Sequence, residues 1–338
     1  MKKISVYFLL LLLFLSASSC KNIDNSGKYE IATWKGFADA AINFTFDDGC
    51  PYQFTRAVPM FDRYGFQATF YLIPDWVQAE SKPFIQSALN AGHEVGSHSI
   101  SHSDMSQLDD TLLRDELKNS QIKLEKMFSF DRCLTMAYPY CIPANAEITR
   151  EYYIAARDCR GDIEKKTPDS YYHISSIGCG NLSEMNSLPA FRQKFAETAS
   201  VNGWCALLFH GLDDDGSHSP ITSELLEEIL LYLHGNNERF WVSSLLNTTL
   251  YSKERDAAVL TEKKVESNRI SLNLTDDLDD RIYNYPLTIR RSLPPGWKRV
   301  QVTQNDNTVS SDILEIEGEK YIVFDAIPDG GEIVLVKQ

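Results

Sequence analysis

The stretch Asn43-Phe-Thr-Phe-Asp-Asp-Gly49 reads as a short apolar strand that ends in two adjacent carboxylates and a glycine. Further strand candidates follow at 68–73, 94–97, 135–137, 206–209 and 241–244. Between them lie amphipathic runs at 52–64, 82–91, 106–128, 144–155, 188–202 and 223–236, with apolar residues at helical spacing. Such alternation predicts parallel strands joined by crossover helices, in an open sheet or a barrel. Asp47-Asp48, His98, Tyr138-Pro139-Tyr140 and His210 fall just past strand ends, where parallel α/β folds build their sites.

His98-Ser-Ile-Ser-His102 sets two imidazoles four residues apart, one helical turn if that segment is helical. One carboxylate with two histidines makes a three-ligand metal site with room for water, and the second carboxylate is left over as a base. That is the outline of a metal-dependent hydrolase.

The chain's 338 residues suffice for one large and one small unit. At 43% hydrophobic and 24% charged the composition is that of a globular protein. A net charge of -14 argues against nucleic acid or an anionic membrane surface as the main partner. Lys2-Lys3 followed by the apolar run 6–15 reads as a secretory signal too short to span a bilayer. Ala17-Ser-Ser-Cys20 resembles a lipobox whose cysteine becomes the lipidated first residue. The expected protein is exported and lipid-anchored to a bacterial membrane, on the periplasmic side or the cell surface. Of seven cysteines, six follow Cys20. Six allow 15 pairings, among which the sequence does not choose. Cys50 and Cys141 each sit beside a motif and are candidates for a bridge near the site.

After Arg255 the character changes. Short β-prone runs at 269–274, 287–290, 299–303, 320–324 and 332–336 are separated by turn signals such as Pro294-Pro295-Gly296. The expected organisation is a signal peptide over 1–20, a tether over 21–38, an α/β domain over 39–255 and a small β-sandwich over 256–338. The second domain could bind glycan, pack on the first or act as a spacer.

Thr45-Phe-Asp-Asp-Gly49, His98-x-x-x-His102, Tyr138-Pro-Tyr140 and Leu208-x-His210 together resemble, in order and separation, the polysaccharide deacetylases related to NodB, carbohydrate esterase family 4. The resemblance covers roughly 39–255 and implies a distorted, incomplete (β/α) barrel. It implies Asp47 as general base and Asp48, His98 and His102 as ligands of a divalent metal, zinc by default, with cobalt or nickel able to serve. It further implies that the Tyr140 backbone N–H stabilises an oxyanion and that His210 protonates the leaving group. Pro139, which fixes the chain before Tyr140, and Leu208, part of the acetyl-methyl pocket, are the substrate-pocket residues the resemblance implies. Two departures stand out. Ala137 occupies the place where the family's third motif often carries arginine, and no Asp-Trp motif orients the histidine acid. Arg157-Asp158 are candidates to compensate at Asp47 and His210, with Asp213 a further candidate beside His210.

His93 is expected to pack near its strand, and Trp76, Trp204 and Trp241 to pack in the core. His173, His218 and His234 belong to no constellation, and Asp213-Asp-Asp215 is expected in a solvated loop. The function implied is removal of acetyl groups from an acetylated polysaccharide or oligosaccharide, either an N-acetylglucosamine polymer or acetylxylan. The rival from another class is a non-catalytic carbohydrate-binding lipoprotein that keeps the fold.

Overall fold

The computed structural model describes residues 29–338. The signal peptide and lipobox, and the first part of the expected tether, lie outside the described residues. The rest of that segment is folded structure rather than tether: β1 (Tyr29–Ile31) is a paired strand, and Ala32 and Trp34 are fully buried.

Eight parallel strands follow: β2 (Ala40–Asp47), β3 (Thr69–Leu72), β4 (Glu94–Ser97), β5 (Thr135–Ala137), β6 (Ala155–Arg157), β7 (Ser176–Gly178), β8 (Trp204–Phe209) and β9 (Phe240–Ser243). Their order is β6-β5-β4-β3-β2-β8-β7, with β9 also paired to β2. β2 shares one edge between β9 over its first half and β3 over its second. A parallel bridge from Arg157 to Ile174 brings β6 to the segment before β7. The backbone bonds from Asp158 N–H to Ile174 and from Ser176 N–H to Asp158 nearly close the barrel there. The fold is the distorted (β/α) barrel expected of the sequence.

β2 shows how one strand serves two environments. All eight of its residues are buried, and its side chains alternate. Ile42, Phe44 and Phe46 pack outward into the aromatic layer with Phe61, Phe70 and Phe209. Asn43 and Thr45 take the other face: Asn43 bonds Ser243, Ser244 and Thr248, and Thr45 donates to Leu207. Buried on that side too, Glu94 accepts from Thr69, Thr135 and the Leu246 N–H. The outer layer holds α1 (Val58–Tyr64), α2 (Lys82–Asn90), α3 (Asp110–Phe128), the single turn α4 (Ala146–Thr149), α5 (Leu188–Ser200), α6 (Ser223–His234) and α7 (Leu245–Ala257). The run 144–155, expected as one helix, is helical only over α4, because its last residue already belongs to β6.

The C-terminal part is a pair of antiparallel sheets. They are built from β10 (Val259–Val265), β11 (Arg269–Thr275), β12 (Leu287–Ser292), β13 (Val300–Gln304), β14 (Asn307–Val309), β15 (Ser311–Ile316), β16 (Glu319–Ala326) and β17 (Ile333–Lys337). The sheets run β1-β12-β16-β15 and β10-β11-β17-β13-β14. The chain therefore enters the structure as a strand of the sandwich before it builds the barrel. An apolar cluster joins the two parts: Ala41, Ala155, Trp204 and Tyr251 of the barrel pack with Leu272, Leu287, Ile289 and Phe324 of the sandwich. Ala41, Ala155 and Trp204 lie at or near the starts of their strands, so the sandwich covers the end of the barrel opposite the strand tips. Of the three roles left open for it, packing on the barrel is the one observed.

Candidate active site

The chemistry-bearing residues stand at the tips of the barrel strands. Asp47 ends β2 and Arg157 ends β6, while His98, Tyr138 and His210 each directly follow β4, β5 and β8. They surround a cavity of about 580 Å³ lined by Asp47, Asp48, His98, His102, Leu208 and His210, among others, a size typical of a small-molecule or sugar pocket.

The strand ladder sets these side chains locally. Asp47 is the last inward-facing residue of β2. At Asp48 the backbone turns left-handed (φ 73°), as it does at Gly49 (φ 70°), which lets two successive carboxylates address the same space. His98 and His102 do not share a helical turn. The segment is a loop, with Ser99 and His102 left-handed (φ 61° and 65°). Glu116 of α3 holds it by accepting from Ile100 N–H, Ser101 N–H and the Ser101 hydroxyl. Gln53 ties the floor together, donating to the carbonyls of both Asp47 and His210 at 2.5 Å.

His98 Nδ1 lies 2.8 Å from the Ala137 carbonyl. A carbonyl only accepts, so Nδ1 carries the proton and the Nε2 lone pair faces the cavity. His98 Nε2 and His102 Nε2 stand 3.7 and 3.8 Å from Asp48 Oδ1. That oxygen is buried and has no hydrogen-bond partner among the described residues. Burial pushes the His98 pKa down to about 4 and lowers that of His102, so both imidazoles are neutral near pH 7. Burial, reinforced by Asp47, pushes Asp48 up. Two neutral imidazoles and an orphaned carboxylate oxygen, with donor atoms within 4.8 Å of one another, are a donor set that fits a divalent cation.

Asp47 has a different environment. Burial pushes its pKa up, but Arg157, then His98 and His210, more than offset this and hold it below the usual carboxylate range. Arg157, itself buried, donates to Asp47 Oδ1 and to the Ser176 hydroxyl. Position 137 is alanine, and the guanidinium beside Asp47 comes from the neighbouring strand, where Arg157 pairs with Ala137 in the β5–β6 ladder.

The other two supporting candidates lie elsewhere. Asp158 pairs with Arg160 and lies 3.7 Å from His173. Asp213 accepts from Arg56 and from the Ser223 N–H and hydroxyl. Neither is paired with His210; the ring against it is His218, with centroids 5.1 Å apart and edge-on. Sequence reading passed over His218 because seven residues of tightly turned loop separate it from His210, and no short spacing signals the fold-back. Asp213 and Asp215 are not merely solvated: Asp215 accepts from Leu212 N–H and Ser217 N–H and shapes that loop. Leu208 lines the cavity, whereas Pro139 is buried behind it and leaves the wall to Tyr138 and Tyr140.

His93 is structural, as expected: it accepts from Ala68 N–H and meets Asp62. Trp204 is fully buried and Trp241 packs at the junction with the sandwich. Trp76 is not a core residue. It is 49% exposed, its ring 5.2 Å from that of His102, and Tyr140 flanks the same imidazole at 4.6 Å. Cys141 is bridged to Cys159, and Cys50 is not bridged to any cysteine among the described residues.

Comparison with known proteins bears on this arrangement. A gellan lyase from Bacillus sp. is 27% identical over 331 residues, which are 92% of this chain but 13% of that protein. A peptidoglycan-N-acetylglucosamine deacetylase from Bacillus cereus is 30% identical over 104 residues, 30% of this chain and 36% of that protein. The chain therefore spans a minor part of either relative. A Mycobacterium smegmatis structure, solved as a candidate polysaccharide deacetylase, superposes with a TM-score of 0.51 at 14% identity, covering 70% of this chain and 98% of that one. That likeness concerns the fold. Residues 35–152 match the family model described as polysaccharide deacetylase. The matched segment contains the Asp47-Asp48 pair, both histidines and the Tyr140 turn, and over it this chain is similar to the polysaccharide deacetylases.

Proposed function

We propose that the protein is a metal-dependent hydrolase that removes acetyl groups from an acetylated glycan. The observation that carries this reading is the division of labour between two adjacent carboxylates. Asp48 Oδ1 lies buried between two neutral imidazoles with no hydrogen-bond partner among the described residues, while Asp47 is held ionised by Arg157. Asp48, His98 and His102 would hold the cation, zinc by default. When bound, it supplies Lewis-acid polarisation of the acetyl carbonyl and activation of a water.

The chain's own residues do the rest. Asp47 takes the proton from the attacking water. The Tyr140 N–H donates to the developing oxyanion. Leu208 shapes the space for the acetyl methyl, and His210 delivers a proton to the departing amine or alcohol. A glycan-binding module without chemistry would have no use for an ionised carboxylate pinned beside a ligand cluster. The N-terminal segment supports export and anchoring through a lipidated Cys20.

Acetate release from chitin oligomers, peptidoglycan and acetylxylan, with and without chelator, tests the reading and selects the substrate. His98→Ala should lose bound metal and acetate release together; full metal content with full activity would sink the ligand set. The same digests searched for unsaturated sugars test a lyase activity, given the resemblance to a segment of a gellan lyase.

A further inference from the structure

We propose that the Cys141–Cys159 disulfide is a positioning bond: it holds the Tyr140 backbone N–H and the Arg157–Asp47 pair in one frame, so that breaking it lowers turnover while the metal ligands stay in place. The proposal rests on the function above for the role of Tyr140.

β5 and β6 end side by side, Ala137 opposite Arg157, and the last ladder bond runs from Tyr138 N–H to the Arg157 carbonyl at 3.0 Å. Beyond it the two chains part. The β6 side remains anchored, since Asp158 N–H donates to Ile174 and its carbonyl accepts from Ser176 N–H. The β5 side enters a tight turn in which Tyr140 and Cys141 are both left-handed (φ 57° and 62°), a conformation that side-chain-bearing residues keep only when their surroundings enforce it. Its hydrogen bonds from Cys141 N–H to Tyr138 and from Ile142 N–H to Pro139 are local, and the Tyr140 ring is 61% exposed. The covalent link to the anchored strand is Cys141–Cys159, with Cα atoms 5.4 Å apart, a separation ordinary for a disulfide. Both cysteines line the cavity, so the bond is within reach of a reductant. His98 is oriented instead by the Ala137 carbonyl, inside the ladder, and does not depend on the bridge.

A water-soluble phosphine breaks the S–S bond into two thiols and leaves a phosphine oxide whose oxygen comes from water. Peptide mapping of the untreated protein should recover Cys141 linked to Cys159. Reduction, or Cys141→Ser with Cys159→Ser, should speed hydrogen exchange at 140–142. It should lower kcat on the order of ten-fold, with KM and metal content unchanged. A staple for stability alone would lower Tm and leave kcat untouched at low temperature. Free thiols or another pairing in the map would overturn the proposal, as would unchanged exchange or kcat after cleavage. The phosphine experiment on folded wild-type protein decides if the double variant does not fold. Should the oxidised wild-type release no acetate, the deacetylase reading falls and exchange at 140–142 alone judges the bond.

Discussion

At the tip of the barrel Arg157 is buried against Asp47; in the sandwich Arg291 is buried against Glu262 and Tyr29. Both arginines are buried, but their surroundings differ. Arg291 also donates to the Ser292 carbonyl, and the Tyr29 hydroxyl donates on to Glu262, so the group closes on itself and ties β1 to the sheet. Around Arg157 polar capacity is left over: its own Nε and Asp48 Oδ1 have no partner among the described residues, and Asp47 Oδ2 faces His98 at 3.8 Å. A closed ionic group is a structural staple. An open one beside a cavity is a candidate site for chemistry.

The harshest test of this comparison removes the sandwich. Deletion of 258–338 strips β1 of its partner strand and uncovers Trp34, Trp204 and Tyr251. The barrel alone should therefore lose cooperative unfolding and bind a hydrophobic dye, although every candidate catalytic residue precedes the cut. A truncated protein that melts cooperatively near the wild-type Tm would show the two parts to be energetically separate.

Within the intact protein, Asp47→Asn should cost on the order of 10²-fold or more in turnover while bound metal is retained. Near wild-type turnover would move the base elsewhere.

A matched pair of substitutions probes the open and closed groups directly. Arg157→Gln should slow turnover about ten-fold at neutral pH. It also leaves the burial of Asp47 less opposed, so its pKa rises and the acidic limb of kcat/KM moves to higher pH. Arg291→Gln should lower stability by about 3 kcal/mol and leave that limb in place. An unmoved limb in the first variant, or a moved one in the second, breaks the distinction.

The smallest effect lies at the junction. Glu254 is fully buried and accepts the Tyr285 N–H at 2.9 Å to each oxygen. Burial pushes its pKa from 4.5 up to about 8, only partly offset by the Tyr285 bond. The folded state then holds a proton that the unfolded chain releases above 4.5, so stability falls as pH rises from about 4.5 to 8. Glu254→Gln should flatten that slope, and Tm measured at both ends of the window reads it. An unchanged slope would assign the pH dependence to other groups.

Much of the barrel was legible because its signals are local. Apolar runs of the length and spacing seen around 41–46 and 223–236 can bury themselves in few ways, and carboxylates and imidazoles just past strand ends are costly unless used. β6, β7 and β15 were not legible. The first two are three-residue strands whose edges are satisfied by distant segments, and five of the six residues of β15 are exposed, with no alternation to read.

The sequence by itself determined the strand–helix alternation of the barrel and set two carboxylates and two imidazoles just past strand ends, since each is a matter of residue type and short spacing. Tertiary structure alone decided which arginine reaches Asp47, which cysteine joins Cys141, that His218 rather than Asp158 or Asp213 lies against His210, and that β1 belongs to the sandwich. Each of these is a contact between residues far apart in the chain. Such contacts depend on how the barrel closes, and closure is fixed by the packing of all its strands together.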